Sequence, residues 1–116
     1  MIDQKVKTRL NKVYHSTKKN ASTKGMKHTI TKDYLETLYI GCQGRCPITG
    51  IKLDVETGTI AVRNPKGISV DRINSEKGYV PGNVRIVSTW YNNAKGAWDD
   101  DFVQEMAKRM IDRLGE

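Results

Sequence analysis

Ile68-Ser69-Val70-Asp71-Arg72-Ile73, the loop Asn74 to Gly82, Asn83-Val84-Arg85-Ile86-Val87 and then Thr89 to Lys95 form the stretch that decides the fold. In the first segment Ile68 and Val70, with Arg72, alternate with the remaining residues, as in a half-buried strand. The loop contains Gly78, Pro81 and Gly82, residue types that turn a chain. The second apolar segment reads as the returning strand, and Thr89 to Lys95 as a short helix broken at Gly96. Strand, loop, strand and helix in this order predict an α+β unit.

Helices are predicted on both sides of this unit. Toward the N-terminus, Thr31 can cap a helix that carries Tyr34, Leu35, Leu38 and Tyr39 on its core face and stops at Gly41. Cys46-Pro47-Ile48-Thr49-Gly50 reads as a turn, Ile51 to Leu53 as a short extended piece, and 55–67 as an irregular insertion broken by Gly58, Asn64, Pro65 and Gly67. Toward the C-terminus, Trp98, Phe102, Val103, Met106, Met110, Ile111 and Leu114 share one stripe. Asp99 to Asp101 precede it and suit a helix N-terminus. This helix is expected to pack on the core, with Trp98 inside.

At the start of the chain, Ile2, Val6, Leu10, Val13 and Tyr14 recur at helical spacing, with Lys5, Lys7, Arg9 and Lys12 on the other faces. The helix is expected to end near His15 to Thr17. Ser16 to Gly25 lacks periodicity and reads as a mobile linker carrying Lys18, Lys19 and Lys24. The net charge of +7 is segregated: residues 1–32 hold nine Lys or Arg against one acid, whereas 99–116 hold three against six. A basic arm of this kind fits a nucleic-acid partner, because cations placed at phosphates release condensed counterions; a merely solvated tail is the plainer reading.

At 116 residues the chain has room for one modest domain. No apolar run approaches the ~20 residues of a bilayer span, and the N-terminus has no signal-peptide core, so a cytoplasmic protein is expected. The two cysteines, Cys42 and Cys46, fall short of the ligand count of a structural zinc site. They are expected to be reduced, with one of them buried.

Val70-Asp71-Arg72-Ile73, Lys77-Gly78-Tyr79, Pro81-Gly82-Asn83-Val84 and Asn92 with Lys95 resemble the ββα-metal core of HNH (His-Me finger) endonucleases, particularly the small bacteriophage and homing-endonuclease types. Gly44-Arg45-Cys46-Pro47-Ile48-Thr49-Gly50 resembles the approach segment of that family. The resemblance implies an α+β fold with a ββα-metal core flanked by helices. It divides the chain into a basic N-terminal helix and linker, 1–27, and an HNH endonuclease-like domain, 28–116. It also implies a hydrolase acting on DNA, cytoplasmic in a bacterial host if phage-encoded, with Mg²⁺ or Mn²⁺ as cofactor. No structural zinc is implied, since Ser88 and Tyr91 stand where many family members carry their second ligand pair.

By the same resemblance, Asp71 is the carboxylate metal ligand, Asn92 the amide metal ligand, and Asn83 a residue that bonds across the loop and sets the strands. On residue type alone, the plainer readings are preferred: Asp71 as a strand-end turn carboxylate, Asn92 as an exposed helix residue and Asn83 as a loop cap. Lys18, Lys19, Lys24, Lys27, Arg85 and Lys95 are candidate DNA phosphate contacts, though a lysine on a short helix is often simply solvated.

The chain departs from the family pattern at one position: Arg72 stands where the family carries its general-base His. A guanidinium stays protonated and cannot take a proton from water, but its planar fork can grip a phosphate oxygen. The base would then be solvent, His28 or His15, or none. Four residues, Asp71, Arg72, Asn83 and Asn92, are therefore the candidate catalytic set. The expected activity is nicking of double-stranded DNA by a monomer or weak dimer. The alternatives are an impaired HNH-derived DNA-binding protein and a basic RNA-binding domain, the latter disfavoured by an aromatic content of 7%.

Overall fold

The computed structural model describes residues 2–56 and 63–115. The chain runs α1 (Gln4–Lys24), α2 (Lys32–Gly41), β1 (Ile68–Arg72), β2 (Val84–Ser88), α3 (Thr89–Lys95) and α4 (Asp100–Leu114). The two strands are antiparallel, with Ile68 opposite Ser88, Asp71 opposite Arg85 and Arg72 opposite Val84. The fold is α+β. Both β1 and β2 contact α3, while α1 packs on β1 and α2 on β2. Helices thus cover more than one side of the hairpin, and Ile68, Val70, Ile86 and Val87 are buried with Leu10, Val13, Leu35 and Leu53.

The N-terminal reading needs a correction. Instead of ending near Thr17 and giving way to a linker, α1 continues to Lys24. The buried face is Val6, Leu10, Val13, Thr17 and Ala21, so the helical spacing persists after Val13 through a threonine and an alanine, which add little to an apolar pattern. Asp3 caps the start, accepting from the Lys5 amide. Gly25 ends the helix in the left-handed region at φ 65°, where a side chain is strained.

Beyond α1 the chain joins the loop between the strands. Tyr79 N–H donates to the Lys27 carbonyl, and Thr29 N–H to the Tyr79 carbonyl, both at 2.9 Å. A Cβ on Gly78 would lie 2.2 Å from the Lys27 carbonyl oxygen, so only glycine lets the two backbones approach this closely. α2 begins after Thr31, whose hydroxyl accepts from Tyr34 N–H at 3.0 Å. Cys46 is buried within the 46–50 turn, and Cys42 is half-buried; both are free thiols. Ser88 is fully buried and caps α3. Part of the predicted 55–67 insertion, residues 57–62, lies outside the described residues.

α4 is the second correction. Asp99 caps it as its residue type suggests, but none of its residues is fully buried. Trp98 is 63% exposed, Met110 61% and Leu114 87%. Trp98 lies outside the core, stacked on Phe102 at 5.1 Å, and Val103 is the stripe residue packed against the core cluster. Among the described residues no helix is long and apolar enough to cross a membrane.

Candidate active site

Asp71 sits near the end of β1, and the strand register places Arg85 directly opposite. Arg85 Nε donates to Asp71 Oδ2 at 2.8 Å. From the last turn of α3, Lys95 Nζ donates to Asp71 Oδ1 at 3.1 Å and to the Arg72 carbonyl at 3.0 Å. The Asp71 and Lys95 side chains are 2% and 1% exposed. Arg85 also holds Asp100 at the start of α4 through a two-pronged pair, at 2.9 and 2.6 Å. The Tyr91 hydroxyl donates to the same carboxylate.

These contacts shift the titrations. Burial opposes the charge on Arg85, but hydrogen bonds to Asp100 and Asp71 outweigh it and hold the guanidinium above its ordinary value. Burial, then the bond to Asp100, pushes the Tyr91 phenol up to about 12. The bond from Arg85 holds the Asp100 carboxyl below its ordinary value, against the opposing effect of burial. Removing one partner from a buried pair such as Asp71–Lys95 leaves an uncompensated charge, at a cost of about 3–5 kcal/mol. The expectation that Lys95 and Arg85 meet DNA phosphates does not match this arrangement. Lys95 has no surface to offer, and Arg85 lies between two carboxylates.

Asp71 and Asn92 line the same open cavity of about 420 Å³, together with Arg72. The Asn92 amide nitrogen donates to Ser69 Oγ at 2.7 Å and to the Val70 carbonyl at 3.3 Å. Its Oδ1 has no bond among the described residues. Arg72 is tethered on one side: Nη1 donates to the Ser75 and Lys77 carbonyls at 2.7 and 3.3 Å, and the guanidinium lies over the Tyr79 ring. Asn83 spans the loop. Its Oδ1 accepts from Asn74 N–H at 2.9 Å, and its amide nitrogen donates to the Asn74 and Gly78 carbonyls at 3.1 and 2.9 Å.

Neither histidine lines this cavity. The Thr17 hydroxyl donates to the Tyr14 carbonyl at 2.7 Å and lies within hydrogen-bonding distance of His28 Nε2, at 2.9 Å. Burial, with the charge of Lys18, holds His28 below its ordinary value despite a backbone hydrogen bond that raises it. His15 is exposed beside Tyr14. Lys18, Lys19, Lys24 and Lys27 are all exposed, and Lys24 reaches the cavity wall.

Sequence reading missed Asn20, Tyr79 and Asn93 as cavity residues. Asn20 lies in the segment read as a linker, and its place follows only once α1 is extended. Asn93, next to Asn92 on α3, was within reach of helical spacing.

No protein-family model matches this sequence, and none of the curated proteins does. Among solved structures, a match is the rare-cutting HNH restriction endonuclease PacI, described for an extraordinary mechanism of DNA perturbation. The TM-score is 0.66 over 87% of this chain and 75% of that one, at 20% sequence identity. This fold is HNH-like. In an HNH-like frame, β1, β2 and α3 form the ββα unit, and the cavity opens where the end of β1 meets α3.

Proposed function

We propose that this chain is a metal-dependent DNA endonuclease of the HNH type that hydrolyses one strand per encounter. The observation that carries the reading is the shared cavity of Asp71 and Asn92 on an HNH-like fold. The neighbour's description as a restriction endonuclease that perturbs DNA supports DNA as the substrate.

The donor chemistry fits a hard dication. Each Asp71 oxygen gives one lone pair to Arg85 or Lys95 and keeps another, and Asn92 Oδ1 is free of partners among the described residues. Oxygen donors suit Mg²⁺ or Mn²⁺, which keep several waters and need only one or two protein ligands; Asp71 and Asn92 would hold the ion. Once bound, it would neutralise charge on the phosphate and the leaving oxygen.

Other groups of the chain supply position and charge. Lys95 and Arg85 fix the Asp71 carboxylate from two sides, and Asn83 holds the loop to which the Arg72 side chain is tied. With Nη1 tied to that loop, the rest of the Arg72 guanidinium is available to a phosphate oxygen as charge builds on it. It cannot accept the proton of the attacking water.

A second reading, DNA binding without cleavage, draws on the same cavity: the family resemblance puts Arg72 where the base would stand, and neither histidine lines the cavity. One experiment separates the two. Supercoiled plasmid incubated with the protein and Mg²⁺ or Mn²⁺ is expected to become nicked, and Asp71→Ala to abolish nicking while retaining DNA binding. If wild type nicks no more than Asp71→Ala, the endonuclease reading fails and the binding reading stands. A sharp rise in rate for Arg72→His would identify water activation as the slow step.

A further inference from the structure

A second cavity, of about 210 Å³, adjoins the first and shares Asn20, Val70, Tyr79, Asn92 and Asn93 with it. Two cations line it, Arg9 from α1 and Arg63 from the segment ahead of β1. Arg9 Nε is buried there and has no hydrogen-bond partner among the described residues. Burial, and then the charge of Arg63, lowers the Arg9 guanidinium from its ordinary value. Glu56 also lines the cavity, but among the described residues no ion pair joins it to either arginine.

A buried cationic donor with no acceptor among the described residues, beside a second cation, is costly in isolation. An anion between the two guanidiniums removes both penalties, and phosphate oxygens match the guanidinium fork. Ser16 and Thr89 line the same space, and their hydroxyls are donors suited to phosphate.

We propose that Arg9 and Arg63 form a seat for a backbone phosphate of the DNA strand whose neighbouring portion lies at Asp71 and Asn92. The seat rests on the DNA reading above and deepens it. The strand follows the two joined cavities along β1, with one phosphate at the carboxylate and amide pair and another between the arginines. Arg9 thereby sets which phosphodiester lies at Asp71.

The test uses the full-length protein in EDTA, so that neither metal nor cleavage enters. A short duplex carrying one neutral methylphosphonate linkage, moved position by position, is titrated against wild type, Arg9→Gln and Arg63→Gln. Wild type is expected to lose about tenfold in affinity at one linkage near the cavities, the size of one charge-assisted contact. In both variants the all-phosphate duplex binds about tenfold more weakly, and the penalty at that linkage disappears. Arg63 is exposed, so its variant remains informative if Arg9→Gln fails to fold. The same scan profile in the variants as in wild type overturns the seat.

A parallel arm titrates inorganic phosphate and reads amide shifts around Arg9 and Arg63. Shifts in wild type that vanish in Arg63→Gln, together with the linkage-specific loss, support the seat. Shifts from inorganic phosphate with a flat linkage scan mean a free-anion site and overturn it. Plasmid nicking is measured separately. A flat scan with nicking intact removes the seat alone, whereas absent nicking with the linkage-specific loss intact removes the endonuclease reading alone.

Discussion

Asp71 is balanced by two cations before any ligand arrives, and the second carboxylate of that cluster, Asp100, links folding stability to pH. The hydrogen bond from Arg85, with that from Tyr91, holds the Asp100 carboxyl below its ordinary value of 3.8, although burial opposes this. A depressed folded value means that the linked stability is present above the unfolded value and is lost as pH falls through the lower folded one. We therefore expect wild type to lose stability below about pH 4, with Asp100→Asn showing a flatter acid limb. Urea midpoints measured from pH 6 to pH 2.5 check this, and parallel limbs would refute it. At this scale the sequence revealed residue types but not their company. The family resemblance points to Asp71, Asn83 and Asn92, of which Asp71 and Asn92 line one cavity. Lys95 and Arg85 looked like surface cations because nothing local distinguishes a solvated lysine from one buried between α3 and the end of β1. That distinction depends on the register of β1 with β2 and on where the start of α4 places Asp100.

Elements were legible where apolar periodicity met a clear stop. α2, both strands and α3 lie close to their expected bounds because Thr31, Gly41, Ser88 and Gly96 punctuate them. α1 was misread in its second half because its inward positions after Val13 are Thr17 and Ala21, a half-polar and a small residue that bury without raising hydrophobicity. α4 was misread in the opposite sense. An amphipathic stripe shows that a helix has an apolar face, but the periodicity is the same whether that face is covered or bare. The length of α1 has a measurable consequence. Val6, Leu10, Val13 and Ala21 belong to the core cluster, and burying a large aliphatic side chain contributes about 1.5–3 kcal/mol. Losing these contacts removes most of the about 5–15 kcal/mol by which a domain is stable. A chain beginning at residue 28 is accordingly expected to show no cooperative urea transition. A sigmoidal transition with the wild-type slope would mean that α1 is dispensable to the fold.

Across the whole molecule, charge is arranged around the cavities. Exposed Lys18, Lys19, Lys24 and Lys27 follow the second half of α1 and the turn after it, and Lys24 stands at the rim of the Asp71 cavity. The acids concentrate instead around α4, where Asp100 is already engaged by Arg85. Under the proposed function, a strand entering the cavity passes beneath the end of α1, so these lysines contribute affinity through counterion release without reading sequence. Each phosphate contact removed should flatten the dependence of log affinity on log salt by about 0.9. Replacing all four lysines, as Lys18→Gln, Lys19→Gln, Lys24→Gln and Lys27→Gln, retains helix-forming side chains. It is expected to reduce the slope by about 2–4 while leaving the circular dichroism spectrum unchanged. Fluorescence anisotropy of a labelled duplex in EDTA between about 50 and 200 mM salt measures the slope. A slope equal to that of wild type would place the DNA path away from α1. A smaller drop, near 0.9, would assign the contact to Lys24 alone, which the single substitution Lys24→Gln would then reproduce.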